Sequence, residues 1–243
     1  MKIIVTFLAL ALTALAQTPD TLFRLQEVVV PADSSAEFYA VQRETAEIYK
    51  TNKAPLARIA WTSLTGTPRF YTLVALDNLG DLNQPTWLTK QGEEAPRRAR
   101  QSRLQNSTGP STSRIIRTQN SSSWDPTPES APDPFATVVT FNVKSGMVPE
   151  FMVVVKELVE AIKKAGKAKS VHVSRVEFGG NSYDFYVVAG YAALADIPPQ
   201  TLLRTTMGDA AYTAYLQKVA TTVNSVERNI LRFRPEFSYL LTK

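Results

Sequence analysis

The sequence contains no cysteine and only one histidine, His172, among its 243 residues. The lack of cysteine excludes disulfide bonds, thiol nucleophiles and cysteine-based zinc sites, and a single histidine excludes any metal site that needs two imidazoles. Glycine-rich phosphate loops, His-Glu-x-x-His pairs, serine-nucleophile elbows and calcium-loop patterns are also missing from the sequence. Most familiar catalytic constellations are therefore excluded, and the sequence does not specify a substrate or a reaction.

The composition is that of a globular protein, with 44% apolar and 20% charged residues. Beyond the N-terminal segment, no run of apolar residues approaches the roughly 18 that a membrane span needs. The formal charge of +5 favours small acids or anionic envelope surfaces over nucleic acid as partners. We therefore expect a mature protein without a membrane span, with a small-molecule ligand or an envelope partner and no nucleic acid.

The N-terminus has the three parts of an export signal. Lys2 supplies a positive charge, residues 3–15 form an apolar run, and Ala14-Leu15-Ala16 matches the small-x-small pattern of signal peptidase sites. About 13 apolar residues reach only about 20 Å as a helix, less than the roughly 30 Å hydrocarbon core of a bilayer. The segment predicts export to the periplasm or the medium, with cleavage after Ala16.

Residues 121–134 form a linker between two longer segments. This stretch holds four prolines and three acidic residues, a composition that supports neither a helix nor a central strand. The predicted organisation is a signal peptide at 1–16, a first unit at 17–120, the linker at 121–134 and a second unit at 135–243.

The two units have the same order of predicted elements, βαββαβ. Phe70-Tyr71 in the third predicted strand of the first unit matches Phe185-Tyr186 in the second, and each follows a turn that contains glycine, Gly66 or Gly179. Matching positions recur at a separation of about 113 to 116 residues along the chain. The repeat indicates an internal duplication.

The first helices of the two units carry different start signals. Ser34 and Glu37 have the spacing of a capping box, and Pro149 suits the first turn of the corresponding helix in the second unit. The second helix of the first unit lacks an apolar stripe and holds four arginines between Arg97 and Arg103. We expect that helix to be short or frayed, with the arginines on a solvated face or against an anionic partner.

Apolar side chains alternate on both sides of the predicted strands, so both faces of each sheet need a cover. βαββαβ is the ferredoxin-like unit, with a four-stranded antiparallel sheet and two helices on one face. The predicted fold class is α+β, with two tandem ferredoxin-like units packed sheet to sheet as an intramolecular pseudo-dimer. This arrangement resembles the dimeric α/β-barrel superfamily, which includes the antibiotic-biosynthesis-monooxygenase-like proteins. The resemblance rests on element order and the repeat, and it covers about residues 26–119 and 135–240.

The resemblance implies several activities, because the superfamily holds oxygenases, haem enzymes, isomerases and binding proteins. Cofactor-independent oxygenases of this kind use Asn and Trp side chains, for which Asn142 and Trp61 are the nearest candidates. His172 is the remaining catalytic candidate, as a general base or a haem ligand between sheet and helices, or else a half-exposed strand residue. Haem-binding members take their ligand from a helix, and since no predicted helix contains histidine, we expect neither haem nor another cofactor.

Four residues are candidates for ligand binding. Tyr71 and Tyr186 recur in the third strands, where they either line a shared cavity or belong to the core. Arg175 occupies the place in the second strand that Trp61 has in the first unit, and Arg58 matches His172 in the same way. If this set faces a cavity, it would suit an aromatic or carboxylate-bearing molecule.

Three functions remain open from the sequence. The first is non-catalytic binding of a small, partly apolar molecule or an envelope partner by an exported monomer. The second is a cofactor-independent monooxygenase or isomerase, so whether the protein is an enzyme stays open. The third is a structural interaction protein without a cavity.

Overall fold

Eight antiparallel strands form the centre of the computed structural model, which describes residues 20–83, 94–126 and 131–241. The strands are, in chain order, β1 (Leu22–Val29), β2 (Arg58–Ser63), β3 (Arg69–Leu76), β4 (Ser111–Thr118), β5 (Phe135–Val143), β6 (Ser170–Phe178), β7 (Asp184–Tyr191) and β8 (Val223–Phe233). The helices are α1 (Ser35–Thr51), α2 (Glu94–Ser107), α3 (Val148–Ala165), α4 (Gln200–Met207) and α5 (Asp209–Thr222). The predicted signal peptide and linker residues 127–130 lie outside the described residues.

The strands are hydrogen-bonded into one closed barrel in the order β1-β3-β2-β8-β5-β7-β6-β4. The strands of the first half follow the order β4-β1-β3-β2, and those of the second half follow the order β8-β5-β7-β6. The halves meet at two seams, where β2 pairs with β8 and β4 pairs with β6. The predicted α+β class and antiparallel pairing are confirmed.

The sequence predicted two sheets packed face to face. In the structure the two sheets are not separate layers. Their edge strands pair with each other at the two seams, so the inner faces enclose the interior of a barrel. Closure satisfies the backbone groups that an open edge strand would leave unpaired. The apolar side chains on one face of the strands therefore point into the barrel interior, and those on the other face pack against the helices.

The helix-facing side of the second half carries the larger core. Phe151 of α3 is fully buried and contacts Phe141 and Phe185, with ring centroids 5.2 Å and 5.0 Å away. Pro149 lies in the first turn of α3, as predicted, and Gly166 ends the helix with a left-handed backbone. Tyr215 of α5 completes this core.

The helix-facing core of the first half takes a residue from the far end of the chain. Phe237, which follows β8, is fully buried beside Phe38 of α1 and Phe70 of β3. Its ring stacks on Tyr39 with centroids 5.4 Å apart. The tail also pairs with β2 through a bridge between Arg58 and Tyr239. This tail supplies apolar surface that α2, with its arginines, does not.

The expectation that the arginine-bearing helix is short or frayed is wrong. α2 runs for 14 residues, and its polar composition is compatible with a helix because Ala, Arg and Gln are good helix formers. Arg103 of α2 binds two acidic residues of α1, with a hydrogen bond to Glu37 and a 2.9 Å contact from Nη1 to Oε1 of Glu44. These exposed ion pairs connect α2 with α1.

The predicted capping box does not form. Ser34 is the N-cap of α1, but its hydroxyl donates to the carbonyl of Ser107 at 3.3 Å instead of capping its own helix. Glu37 is engaged with Arg103. Ser34 and Glu37 therefore make contacts between α1 and α2 instead of the predicted capping box within α1. None of the described helices has the length and apolar character of a membrane span.

Candidate functional site

The interior of the barrel contains a cavity of about 350 Å³. All eight strands contribute side chains to it, and so do described residues of the linker. The walls are mainly apolar: Phe23, Leu25, Ile59, Trp61, Leu73, Ile116, Ala136, Val138, Val188 and Leu231. An eight-stranded barrel is just wide enough for its own side chains to fill or to hold one small ligand. Small residues such as Ala136 and Ser174 on the inner face leave this interior partly open.

One end of the cavity is polar, and we call it the mouth. It is lined by Thr118, Asp125, Asp133, Lys169, Ser170 and His172. Nε2 of His172 lies 3.5 Å from Oδ2 of Asp125, and the His172 side chain is 44% exposed. The hydroxyl of Ser170 donates to Asp133 at 3.4 Å. The mouth therefore brings an imidazole and two carboxylates to the edge of an apolar cavity.

Burial lowers the pKa of His172 below its ordinary value of 6.5, while Asp125 and Asp133 act in the opposite direction. Burial also raises the pKa of Asp133. The imidazole is consequently neutral at pH 7 and can accept a proton. Since the folded-state pKa of His172 lies below the unfolded value, its contribution to stability declines as the pH falls from about 6.5 towards the folded pKa.

This titration can be measured directly, because the chain has only one histidine. In proton NMR of the tag-free protein, the C2 proton of His172 is expected to titrate with a midpoint below 6.5. Asp125→Asn is expected to lower the midpoint further, because the carboxylate that favours the imidazolium is removed. A midpoint above 6.5 in the native protein, or one that Asp125→Asn raises, would contradict the described mouth.

The opposite end of the cavity is formed by Tyr71 and Tyr186, whose hydroxyls reach a group of charged residues. Nη1 of Arg114 donates to the hydroxyl of Tyr186 at 2.7 Å, and Arg69 lies near the hydroxyl of Tyr71, where its positive charge opposes the rise in the pKa of that tyrosine. Both arginines approach Glu27, at 3.1 Å from Arg69 and 3.7 Å from Arg114. We call these five residues the floor cluster. Burial is the main reason why the pKa of each tyrosine is raised.

Four of the residues singled out from the sequence come together at this cavity: Trp61, Tyr71, Tyr186 and His172. His172 lines the barrel interior, whereas the sequence had suggested a place between sheet and helices. The catalytic role of Trp61 and His172 and the ligand-binding role of the tyrosines stay predictions.

Arg58 and Arg175 do not reach the cavity. Arg58 is buried on the helix-facing side, where it donates to the carbonyl of Phe237 and to Oε1 of Gln42 at 2.6 Å. Burial lowers its pKa to about 10. Arg175 lies over the ring of Phe185, also on the helix-facing side. Neither arginine is placed to bind a ligand inside the barrel.

The register of the strands explains this difference. Trp61 pairs with Tyr71, and Ser174 pairs with Tyr186, so Trp61 corresponds to Ser174 and not to Arg175. The sequence comparison was one residue out in this strand. Because side chains alternate between the two faces, a shift of one residue assigns each of them to the wrong face.

Asn142, the third catalytic candidate, is engaged away from the cavity. Its amide donates to Oδ1 of Asp184 at 2.6 Å, and its carbonyl oxygen accepts from Asn224 at 2.9 Å. Asn142 does not line the cavity. These contacts tie the end of β5 to its neighbours β7 and β8.

Sequence reasoning missed two linker residues that line the cavity and the two arginines of the floor cluster beside it. Asp125 and Asp133 belong to the linker, whose composition carries no signal for a binding site. Trp124 of the linker forms a bridge with Val171 of β6, which holds this part of the linker against the barrel. Arg69 and Arg114 lie on different strands, and only the alternation of strand residues could have suggested that they share a face with Tyr71 or Ile116.

No protein-family model matches the chain, and no curated protein matches it either. Several solved structures do match the chain. A Fusobacterium nucleatum protein provisionally assigned as a monooxygenase is 14% identical, with a TM-score of 0.59 over 88% of this chain and 93% of that one. An anthrone oxidase-like protein is 12% identical, with a TM-score of 0.58 over 88% and 91%. A chlorite dismutase variant from Candidatus Nitrospira defluvii is 12% identical, with a TM-score of 0.52 over 89% and 92%.

At these identities the comparisons establish the fold and nothing further. The chain has the α/β-barrel architecture of these proteins, which confirms the barrel fold that the resemblance implied. Fold alone does not determine function, because one fold hosts unrelated chemistries.

The residues of this chain do not fit a haem group between sheet and helices. That space is filled by buried aromatic side chains, including Phe38 and Phe70 in one half and Phe151 and Phe185 in the other. The sole imidazole, His172, lines the interior on the other side of the sheet. Over the described residues, no group of three or more acidic or histidine side chains could hold a metal ion.

Proposed function

We propose that this protein binds a small, largely apolar molecule inside its barrel. The observation that carries the proposal is the cavity of about 350 Å³ with apolar walls and a polar group at each end. Ligand sites usually have volumes of about 300–1,000 Å³, apolar walls and a few polar groups that orient the ligand. The size of this cavity suits a molecule of one to three fused rings.

Apolar space that no atoms fill is unfavourable in a protein interior. Packed interiors normally approach the density of organic crystals, and a void deprives its lining of dispersion contacts. Side chains larger than Ala136 and Ser174 on the inner face would have filled the barrel. A ligand that occupies the space restores these contacts, which favours binding of an apolar molecule.

The finer features of the fold belong to the same proposal. We infer that the halves are duplicated ferredoxin-like units forming a pseudo-dimer, because their strand orders and tyrosine pairs correspond. The eight described strands form a closed barrel, so none of them has a free edge to pair with a second copy, which supports a monomer. We also propose that the protein is exported and cleaved after Ala16.

Filling the cavity tests the proposed function. Ala136 is buried in the cavity wall, and Ala136→Phe is expected to weaken binding of naphthalene at least about tenfold, because the new ring occupies the ligand's space. Binding is measured by calorimetry, and native mass spectrometry of the purified protein reports any ligand acquired in the cell.

The matched control is Ala210→Phe, the same change at an exposed position of α5. It is expected to leave binding unchanged. Thermal unfolding shows whether Ala136→Phe still folds, and Val138→Leu provides a smaller filling of the same wall if it does not. Equal affinity in all folded variants would place the ligand elsewhere and contradict the proposal.

The neutral imidazole at the mouth favours a second candidate, cofactor-independent oxygenation. His172 is placed to accept a proton from a bound molecule, and its neighbour Asp125 would stabilise the resulting imidazolium. An anthrone oxidase-like protein has the same fold. Anthrone is therefore a suitable probe: with one O₂ it gives anthraquinone and one water.

This second candidate is tested by oxygen consumption with anthrone under air. An oxygenase predicts one O₂ consumed per anthrone and a loss of about 10²–10⁴-fold on His172→Gln, the usual contribution of a general base. A rate equal to that of anthrone in buffer, with naphthalene still bound, would leave a binding protein without this activity.

A further inference from the structure

The floor cluster points to the chemistry of the ligand's inner end. Tyr71 and Tyr186 each combine an aromatic ring in the cavity wall with a hydroxyl beside an arginine, and the Tyr186 hydroxyl receives a hydrogen bond from Arg114. A guanidinium only donates hydrogen bonds, so the oxygen of Tyr186 acts as an acceptor towards Arg114. The hydroxyl proton of each tyrosine remains available to a further acceptor.

The surroundings supply donors in excess of acceptors. Nε of Arg69 and Nε of Arg114 are buried without a hydrogen-bond partner among the described residues. Glu27 is the acid that the two arginines share. Buried donors are normally satisfied, and an unsatisfied one is unfavourable. The donors that line the cavity itself are the hydroxyls of Tyr71 and Tyr186, so a ligand with an acceptor atom at this end of the cavity would complement them.

The charge of the cluster favours a neutral acceptor over an anionic one. Glu27 approaches both arginines, and Glu227 accepts from Arg69 at 3.2 Å, so two carboxylates balance two guanidinium groups. Only when Glu227 is counted with the floor cluster do two carboxylates balance the two guanidinium groups, and this balanced set cannot offset the desolvation of a buried carboxylate. A carbonyl oxygen accepts hydrogen bonds and is much less costly to bury.

We propose that Tyr71 and Tyr186 recognise a carbonyl oxygen at the inner end of an aromatic ligand, with Arg69 and Arg114 holding the two hydroxyls in place. This inference rests on the proposed function, since it requires a ligand in the barrel. The tyrosines contact the ligand, while the arginines act through them as positioning residues. The ligand class is an aromatic ketone or quinone-like molecule with its apolar part between the floor cluster and the mouth.

The test compares two probes of the same shape, 2-acetylnaphthalene and 2-isopropenylnaphthalene, which differ by an oxygen in place of a CH₂ group. The preference for the ketone is the dissociation constant of the isostere divided by that of the ketone. This ratio is expected to be about tenfold larger for the native protein than for the Tyr71→Phe/Tyr186→Phe double variant. Each single variant should lose about threefold of this preference. The comparison of ratios removes the difference in hydration between the two probes.

The control is Tyr215→Phe, which removes the hydroxyl of a buried tyrosine of the helix-facing core. It should leave the preference for the ketone unchanged. Circular dichroism and thermal unfolding establish that each variant is folded, and the isostere's affinity reports whether the cavity itself has changed.

The possible failures are distinguishable. An unchanged ratio in the double variant, with both probes bound, would overturn the role of the tyrosines and leave binding in the barrel intact. Tighter binding of 2-naphthoate than of the ketone would overturn the inference that the floor cluster prefers a neutral acceptor to an anionic one. If the native protein binds neither 2-acetylnaphthalene nor 2-isopropenylnaphthalene, the proposed function is overturned, and this inference with it.

Discussion

Phe237→Ala is expected to lower the free energy of unfolding by about 3–5 kcal/mol, the usual cost of removing a buried phenylalanine ring. Phe237 is fully buried between α1 and β3, where it contacts Tyr39 and Phe70. The remaining wall of this core includes the polar helix α2, which has little apolar surface with which to fill the gap. Urea unfolding, with fluorescence and circular dichroism as probes, measures the change.

Phe178→Ala is the matched control, because Phe178 is 54% exposed and the chemical change is identical. It should lower stability by no more than about 1 kcal/mol, as is usual for surface substitutions. If the two variants are equally stable, the C-terminal tail does not pack in the first half as described. A loss confined to Phe237→Ala identifies the tail as part of that core.

Gly179→Ala is expected to lower stability by about 2–5 kcal/mol through two separate effects. Gly179 has a φ of +79°, which costs a non-glycine residue about 1–2 kcal/mol. Its new Cβ would also lie 2.4 Å from the backbone carbonyl oxygen of Ser113 in β4. This atom belongs to a strand of the β4–β6 seam, so relief of the contact requires displacement of backbone, at a further cost of about 1–3 kcal/mol.

Gly146→Ala separates the two effects. Gly146 has a φ of +81°, but no atom lies within 4 Å of the position that its Cβ would take. Only the backbone cost of about 1–2 kcal/mol is therefore expected there. Chemical unfolding of both variants gives the difference, which measures the close approach at the seam. Equal losses would mean that β4 and the turn after β6 are not in contact.

Much of the fold could be predicted from the sequence, because it depends on short-range patterns. Alternation of apolar residues identified the strands, and the repeated Phe-Tyr pair located corresponding strands in the two halves. The apolar character of both strand faces showed that each sheet needed two covers. Tyr71 and Tyr186 were singled out because they recur in the third strands of both halves and combine a ring with a hydroxyl, and Trp61 because the sequence resembles a group of oxygenases that use tryptophan.

The candidate site could be predicted only in part, because a cavity depends on which face of each strand points inward. Arg58 and His172 were matched by their separation in the sequence, yet they lie on opposite sides of the sheet. A register error of one residue is invisible in composition and changes the face of every side chain in the strand. The linker acids Asp125 and Asp133 line the cavity only because the linker folds back against the barrel, which no local pattern in the sequence indicates.

The sequence by itself determined the strand and helix order, the α+β class, and the exclusion of cysteine chemistry and of two-imidazole metal sites. Those properties follow from residue types and from periodicities of two and 3.6 residues. Only the tertiary structure decided that the edges of the two sheets join into a barrel, that the barrel has a cavity, and that Phe237 completes the core of the first half. The reason is physical: edge pairing, strand register and the packing of a distant tail are contacts between residues far apart in the chain, and no local pattern encodes which partner each surface meets.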